Sequence, residues 1–216
     1  MIKIMKDTKK KPEEKNYFIY KLLNFPIMYL TVQLLLYKKG SRYKIFNEHF
    51  NLKKNDSILE IGCGPGINRK YLDSDSYIGV DINCSHINNA LKKYPNENFV
   101  CKNVLDFDEN GFAESKNILI CHLLHHLNDE NCKSLIRTIH KNINKDQNIF
   151  LIDIIFTDNQ NPIAKMLGKL DKGNYVRHID QYVELFDENL FHKEVKNESK
   201  LLRFPSNFAI TKLSKK

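Results

Sequence analysis

Three glycines, Gly62, Gly64 and Gly66, close the short apolar run Ile58-Leu59-Glu60-Ile61 in a chain holding only eight glycines. Glycine serves where backbone turns tightly or approaches a ligand, because it carries no Cβ. A strand, a glycine turn and a helix in series present backbone N–H groups to a nucleotide. Glu60 stands two residues before the first glycine. Fifteen residues after Gly66, Asp81 ends a second apolar run, Ser76-Tyr77-Ile78-Gly79-Val80-Asp81. An acid at that position can accept hydrogen bonds from both hydroxyls of a ribose. It equally suits a helix N-cap, since Asn83-Cys84-Ser85-His86 opens a helix.

A second group of reactive residues lies in His122-Leu123-Leu124-His125-His126-Leu127-Asn128-Asp129. Histidine titrates near neutrality and is suited to general base work. One of His125 and His126 is expected to face an acceptor, with the other packed and hydrogen-bonded. The spacing also permits His122 to share a helical face with His125 or His126. No acid or thiolate stands at ligand spacing, so no metal site is expected. A third group, Tyr175, Arg177 and His178, ends a long connection. Arg177 suits either an acidic substrate group or a salt bridge across that connection. Tyr29 is a further candidate substrate contact, and His178 a further candidate base.

These residues need a scaffold, and the hydrophobic pattern supplies one. Apolar runs at 57–62, 76–81, 98–101, 117–121 and 147–153 read as strands. Helices are expected at about 67–72, 87–93 and 130–142, which alternate with the strands and imply a parallel sheet. Residues 156–178 break the rhythm as a long connection on the functional side. A helix at 179–187 and a final strand pair, 191–195 and 208–213, complete the chain. Ahead of the sheet, 1–15 is a Lys-rich tail and 16–50 a helical cap on a single domain spanning 16–216. Pro26 suits the first turn of a helix running to about Lys39, with Gly40 as its stop. A second helix is expected over about 42–50. The apolar stretch 17–38 is too broken to span a membrane. It packs on the domain or, in a second reading, lies on a membrane surface.

The 216 residues carry a net charge of +8, mostly from lysine, with only five arginines. Arginine is the preferred residue for forked contacts to phosphate and bases, so this charge alone makes a weak nucleic-acid interface. Five widely spaced cysteines contain no Cys-x-x-Cys pair. They are expected as reduced thiols in a cytoplasmic protein, neither a disulfide frame nor a zinc site. No signal peptide pattern opens the chain.

Glu60-x-Gly62-x-Gly64-x-Gly66 closely resembles the first motif of the class I S-adenosylmethionine-dependent methyltransferases. Leu124-His125-His126-Leu127-x-Asp129 is similar to the post-strand motif of many small-molecule members. Asp171-Lys172-Gly173-Asn174-Tyr175-Val176-Arg177 and Leu201-Leu202-Arg203-Phe204-Pro205 resemble segments of small bacterial methyltransferases. The resemblance implies a Rossmann-like α/β fold: a seven-stranded, mostly parallel sheet with an antiparallel last strand, and helices on both faces. It implies that Gly62, Cys63, Gly64 and Gly66 cradle the methionine part of the cofactor, with Glu60 at its ammonium directly or through water. Asp81 and Ile82 would meet the ribose, Asn103 and Val104 the adenine, and Cys121 and His122 the methionine end. Two positions depart from the family pattern, Asn103 and Asn117, where aspartate is usual. Asn can still accept a hydrogen bond through its side-chain oxygen, and Asp106 is the alternative acceptor.

The implied reaction moves a methyl group from S-adenosylmethionine to an O or N of a small-molecule acceptor, leaving S-adenosylhomocysteine. An RNA methyltransferase is an alternative suggested by charge alone, and no Asn-Pro-Pro-Tyr-type motif supports it. A non-catalytic, membrane-associated cofactor-binding protein is another. A nicotinamide enzyme is disfavoured because the third glycine arrives one residue early.

Overall fold

The computed structural model describes residues 37–106, 112, 115–171 and 173–216. Eight strands form one sheet: β1 (Ser57–Ile61), β2 (Ser76–Asp81), β3 (Asn98–Cys101), β4 (Asn117–Cys121), β5 (Asn148–Phe156), β6 (Arg177–His178), β7 (Phe191–Glu198) and β8 (Phe208–Lys215). Seven follow the order β3-β2-β1-β4-β5-β8-β7, and the two-residue β6 pairs with β5. β8 runs antiparallel to both its neighbours, and the remaining pairings are parallel. The expected sheet, with its antiparallel last strand, is therefore present.

β4 shows why these sequences make buried strands. Ile118 and Ile120 join one core cluster, and Leu119 and Cys121 join the other. Side chains alternate across a strand, so an unbroken apolar run serves a sheet covered on both faces. The first cluster takes Leu135, Ile136 and Ile139 from helix α3 (Asp129–Asn142). The second takes Ile87 and Ala90 from helix α2 (Cys84–Lys93). Asn83 caps α2 by accepting from Ser85 and His86 N–H, and Asn128 caps α3 by accepting from Asn131 N–H at 2.8 Å.

The chain runs outward from β1 to β2 and β3, then returns to β4 on the other side of β1. This reversal opens a crevice beyond the carboxyl ends of β1 and β4, the usual ligand position in open α/β sheets.

Several expectations are corrected. Residues 67–72 form a turn and a short 3₁₀ segment, Arg69–Tyr71, in place of an α-helix. Six residues are few to nucleate a helix, and Asn68 turns inward to Glu60. Over 42–50 a four-residue helix, α1 (Ser41–Lys44), passes into a π-helical turn, Ile45–His49. The 156–178 connection contains helix α4 (Pro162–Lys169) as well as β6, and the following helix is shorter than expected, α5 (Ile179–Val183). The helix expected from Pro26, its membrane-surface alternative and the basic tail lie outside the described residues up to position 36. Tyr37, near that helix's expected end, forms an isolated antiparallel bridge with Leu202.

The cysteines are not all reduced thiols. Cys84 and Cys101 form a disulfide, with Cα atoms 5.1 Å apart. Seventeen residues of sequence separate them, but Cys101 pairs in register with Asp81, and Cys84 opens the helix that follows Asp81. No helix among the described residues is long and apolar enough to cross a membrane.

Candidate functional site

The crevice is built from the ends of β1, β2 and β4. Gly62, Gly64 and Gly66 all adopt left-handed φ, at 73°, 55° and 69°. A Cβ on Gly66 would lie 3.0 Å from the Phe99 ring, a tight contact on top of the strain any side chain meets at its left-handed φ. Asp81 organises the loop. Its carboxylate accepts from Gly64 N–H and from Asn83 N–H, each at 2.8 Å. Each carboxylate oxygen has further accepting capacity, so the same group can still take hydroxyl donors. The helix-capping role falls to Asn83.

Ile82 follows Asp81 and is 72% exposed, a large apolar side chain held open beside the acid. Lys102 N–H donates to Asp81 carbonyl at 3.0 Å, which draws Asn103 and the 3₁₀ turn Val104–Asp106 to the same edge. The Cys84–Cys101 bond lies between these two walls.

Glu60 is fully buried. Tyr77 hydroxyl and Asn68 amide each donate to it at 2.6 Å. Burial raises its pKa to about 7, although both hydrogen bonds and the Arg42 charge act to lower it. Arg42 donates to Asn68 at 3.2 Å and lies 4.0 Å from the centre of the Tyr37 ring. Asn68 thus joins the buried carboxylate to Arg42. Cys63 and Cys121 are buried, and burial pushes both thiols far up.

His122 follows β4 with a left-handed φ of 56°. A non-glycine residue there is strained, and such strain persists where surroundings over-determine it. Two contacts hold it. Its N–H donates to Ile152 carbonyl at 2.8 Å, and its Nε2 meets the Tyr37 hydroxyl. Burial lowers its pKa to about 3, so its ring is neutral.

His125 lies deeper. Its Nδ1 is hydrogen-bonded to Asp153, its Nε2 lies 3.3 Å from Asp171, and its backbone N–H donates to Asp153 at 3.1 Å. Burial disfavours its charge, yet Asp153 and Asp171 prevail and raise its pKa. Burial would raise Asp153, but His125 holds it below the usual carboxylate range. A Cβ on Gly173 would come within 2.1 Å of the His125 ring, and Tyr175 N–H donates to His125 carbonyl at 3.0 Å. Residues 173–177 are thus fastened onto His125.

Arg177 completes that fastening. It bonds Asp129 and the carbonyls of Leu124, Leu127 and Tyr175. Of its two expected roles, the salt bridge across the connection is the one displayed. Tyr175 is half-buried beside it, its ring 6.0 Å from the guanidinium. His126 is exposed, with its ring 4.1 Å from that of His125. His178 is elsewhere: Asp158 and Asp180 each lie 3.2 Å from its ring nitrogens. Tyr29 lies outside the described residues. No group of three or more His, Cys, Asp or Glu among the described residues is arranged to hold a metal.

Sequence reasoning missed Tyr37, Arg42, Asn68 and Asp153. Asp153 carried a signal, since it sits within the fifth apolar run as Asp81 ends the second. The other three are joined to the site only by the fold.

Strand order, the left-handed glycine loop and the acid at the end of β2 are those of the Rossmann-like methyltransferase fold. Residues 58–146 match the family model described as a methyltransferase domain. No curated protein sequence matches the chain significantly. Solved structures agree in fold. A TehB-like SAM-dependent methyltransferase from Corynebacterium glutamicum superposes with a TM-score of 0.64 at 14% identity, covering 91% of this chain and 99% of that one. The YcgJ protein from Bacillus subtilis gives 0.62 at 11% identity, covering 81% and 98%. Human N-acetylserotonin methyltransferase, solved with SAM, gives 0.67 at 15% identity, covering 91% of this chain but 56% of that one.

Proposed function

We propose that this protein transfers the methyl group of S-adenosylmethionine to an O or N atom of a small-molecule acceptor. The observation that carries this reading is the Asp81 carboxylate holding Gly64 N–H at 2.8 Å, which ties the ribose-binding acid to the methionine-binding loop. The residues fit the cofactor. Gly62, Cys63, Gly64 and Gly66 offer backbone to its methionine part, Asp81 takes the ribose hydroxyls, and exposed Ile82 with Asn103 and Val104 flanks the adenine. Cys121, the last residue of β4, and His122 after it would meet the methionine end. When bound, the cofactor supplies a methyl group on a sulfonium that is already a good leaving group.

The chain's own contribution is alignment of donor and acceptor and exclusion of water, which can supply about 7–11 kcal/mol. His122, with its pKa near 3, is too weak a base to take a proton at neutral pH. Its neutral Nε2 instead orients the Tyr37 hydroxyl at the donor end. His125 works as a positioning residue, through Asp153 and Asp171. His126 is the exposed histidine of this motif. A small-molecule acceptor is supported by the fold's likeness to N-acetylserotonin methyltransferase.

Calorimetric titration with S-adenosylmethionine and S-adenosylhomocysteine tests the reading. Micromolar affinity for both is expected, and absence of binding to either would remove it. Acceptors would then be screened with methyl-labelled cofactor.

A further inference from the structure

A cleft of about 800 Å³ opens beyond the ends of β5 and β7 and the start of β8. It is separate from the glycine loop and from the His122–Asp129 segment, and Leu202, Arg203, Phe204 and Pro205 of the 201–205 segment line it. Its walls connect to the donor end. Leu202, in the cleft, is bridged to Tyr37, and Lys38, also in the cleft, donates its N–H to Leu201 carbonyl at 3.1 Å. Asn207, in the cleft, precedes Phe208, whose ring centre is 5.4 Å from that of His122. The cleft therefore starts one side chain away from the donor end.

Like most pockets it combines apolar wall with polar groups, and here amides are the commonest of the polar ones. Asn159, Asn197 and Asn207 line it together with Thr157, and Phe204 forms a half-exposed aromatic face. Asn207 is 8% exposed and donates to Thr157 hydroxyl at 3.3 Å, which fixes that wall. An amide offers one acceptor and two donors side by side, which matches adjacent hydroxyls on a ring. The Phe204 ring suits the C–H face of such a ring. Lys38 and Arg203 stand on the same walls, against one acid, Asp158. Two cations on flexible stems suit an anionic substituent.

We propose that this cleft is the acceptor site, and that it takes a polyhydroxylated molecule bearing an anionic group, of the sugar phosphate class. This rests on the methyl-transfer reading for its role, but the binding itself is separately measurable.

The test titrates the full chain with glucose 1-phosphate and glucose 6-phosphate, with catechol and indole as apolar counter-probes, and with S-adenosylhomocysteine. The expected result is saturable sugar phosphate binding, weakened tenfold or more by Arg203→Ala and by Asn197→Leu. S-Adenosylhomocysteine affinity should stay within twofold, and melting temperature should hold because both side chains are exposed. Preference for catechol or indole would overturn the assignment. So would sugar phosphate binding that neither substitution weakens, or none at all while S-adenosylhomocysteine binds. Sugar phosphate binding without S-adenosylhomocysteine binding would keep the cleft's ligand class and remove methyl transfer.

Discussion

Asp81 accepts the Gly64 N–H at 2.8 Å across seventeen residues of sequence, so the end of β2 holds the glycine loop of β1 in its ligand-facing shape. The same carboxylate accepts from Asn83, while Asn83 itself caps α2. Ligand binding and capping are therefore separable. Asp81→Ala should weaken S-adenosylhomocysteine binding by about 10–100-fold, from loss of hydrogen bonds to a charged group worth about 1.5–3 kcal/mol each. Melting temperature should fall by only a few degrees, since Asn83 keeps the cap. Calorimetry and thermal melts on the same preparations decide it. Equal losses in both would mean that the acid serves the fold alone.

Glu60 makes a pH-dependent prediction. Its folded pKa, about 7, lies above the ordinary 4.5. Between those values the native protein holds a proton that the unfolded chain has lost. Stability contributed by this group is thus greatest below pH 4.5, falls as pH rises to about 7, and is level above. The fall is on the order of 3 kcal/mol, at 1.36 kcal/mol per pKa unit. Glu60→Gln cannot titrate. Wild type should therefore lose stability relative to the variant between pH 5 and pH 8 in urea unfolding. Parallel profiles would show that Glu60 is ionised throughout.

The His125–Asp153–Asp171 cluster has the same direction of dependence at its upper end and the opposite one at its lower end. His125 has a raised pKa, so its contribution is complete below about pH 6.5 and is lost as pH rises through the raised value. Asp153 has a lowered pKa, so its contribution is present above about pH 4 and is lost as pH falls further. The cluster is intact between those limits. Asp153→Ala removes one partner of a buried pair and should cost about 3–5 kcal/mol. His125→Asn should free residues 173–177, seen as faster amide exchange at Tyr175, and its destabilisation should be larger at pH 6 than at pH 9. A pH-independent loss would count against a charged His125.

What could be read from the sequence follows from distance along the chain. The strands, the glycine loop and Asp81 were legible because each is a local pattern: unbroken apolar runs, clustered glycines, an acid one βα unit further on. The partners of Glu60 and His122 were not. Asn68, Arg42 and Tyr37 reach them only after the first helical segment folds over the sheet, and Asp171 meets His125 only once the connection after β5 doubles back. The helix expected at 67–72 failed because Asn68 gains more from Glu60 than from a marginal helix. The clearest miss, Cys84 with Cys101, turns on parallel register between β2 and β3, which apolar runs alone do not specify.

That disulfide leads to the last prediction. It joins the first residue of α2 to the last of β3, on either side of the Asp81–Ile82 corner that the nucleoside must enter. Both cysteines are exposed, so a reductant can reach the bond. A cross-link closing a loop of this size stabilises by about 3 kcal/mol, chiefly by restricting the unfolded chain. For a chain of this length that corresponds to a melting temperature about 6–12 °C lower on reduction. Asp81 also depends on the same corner, because Lys102 N–H, next to Cys101, donates to its carbonyl. Reduction should therefore weaken S-adenosylhomocysteine binding as well, by about threefold to tenfold, and the Cys84→Ala, Cys101→Ala double variant should match the reduced protein in both measurements. A lower melting temperature with unchanged affinity would make the bond a staple of the fold with no hold on the nucleoside corner. Unchanged values in both would mean that the two sulfurs are not joined in solution.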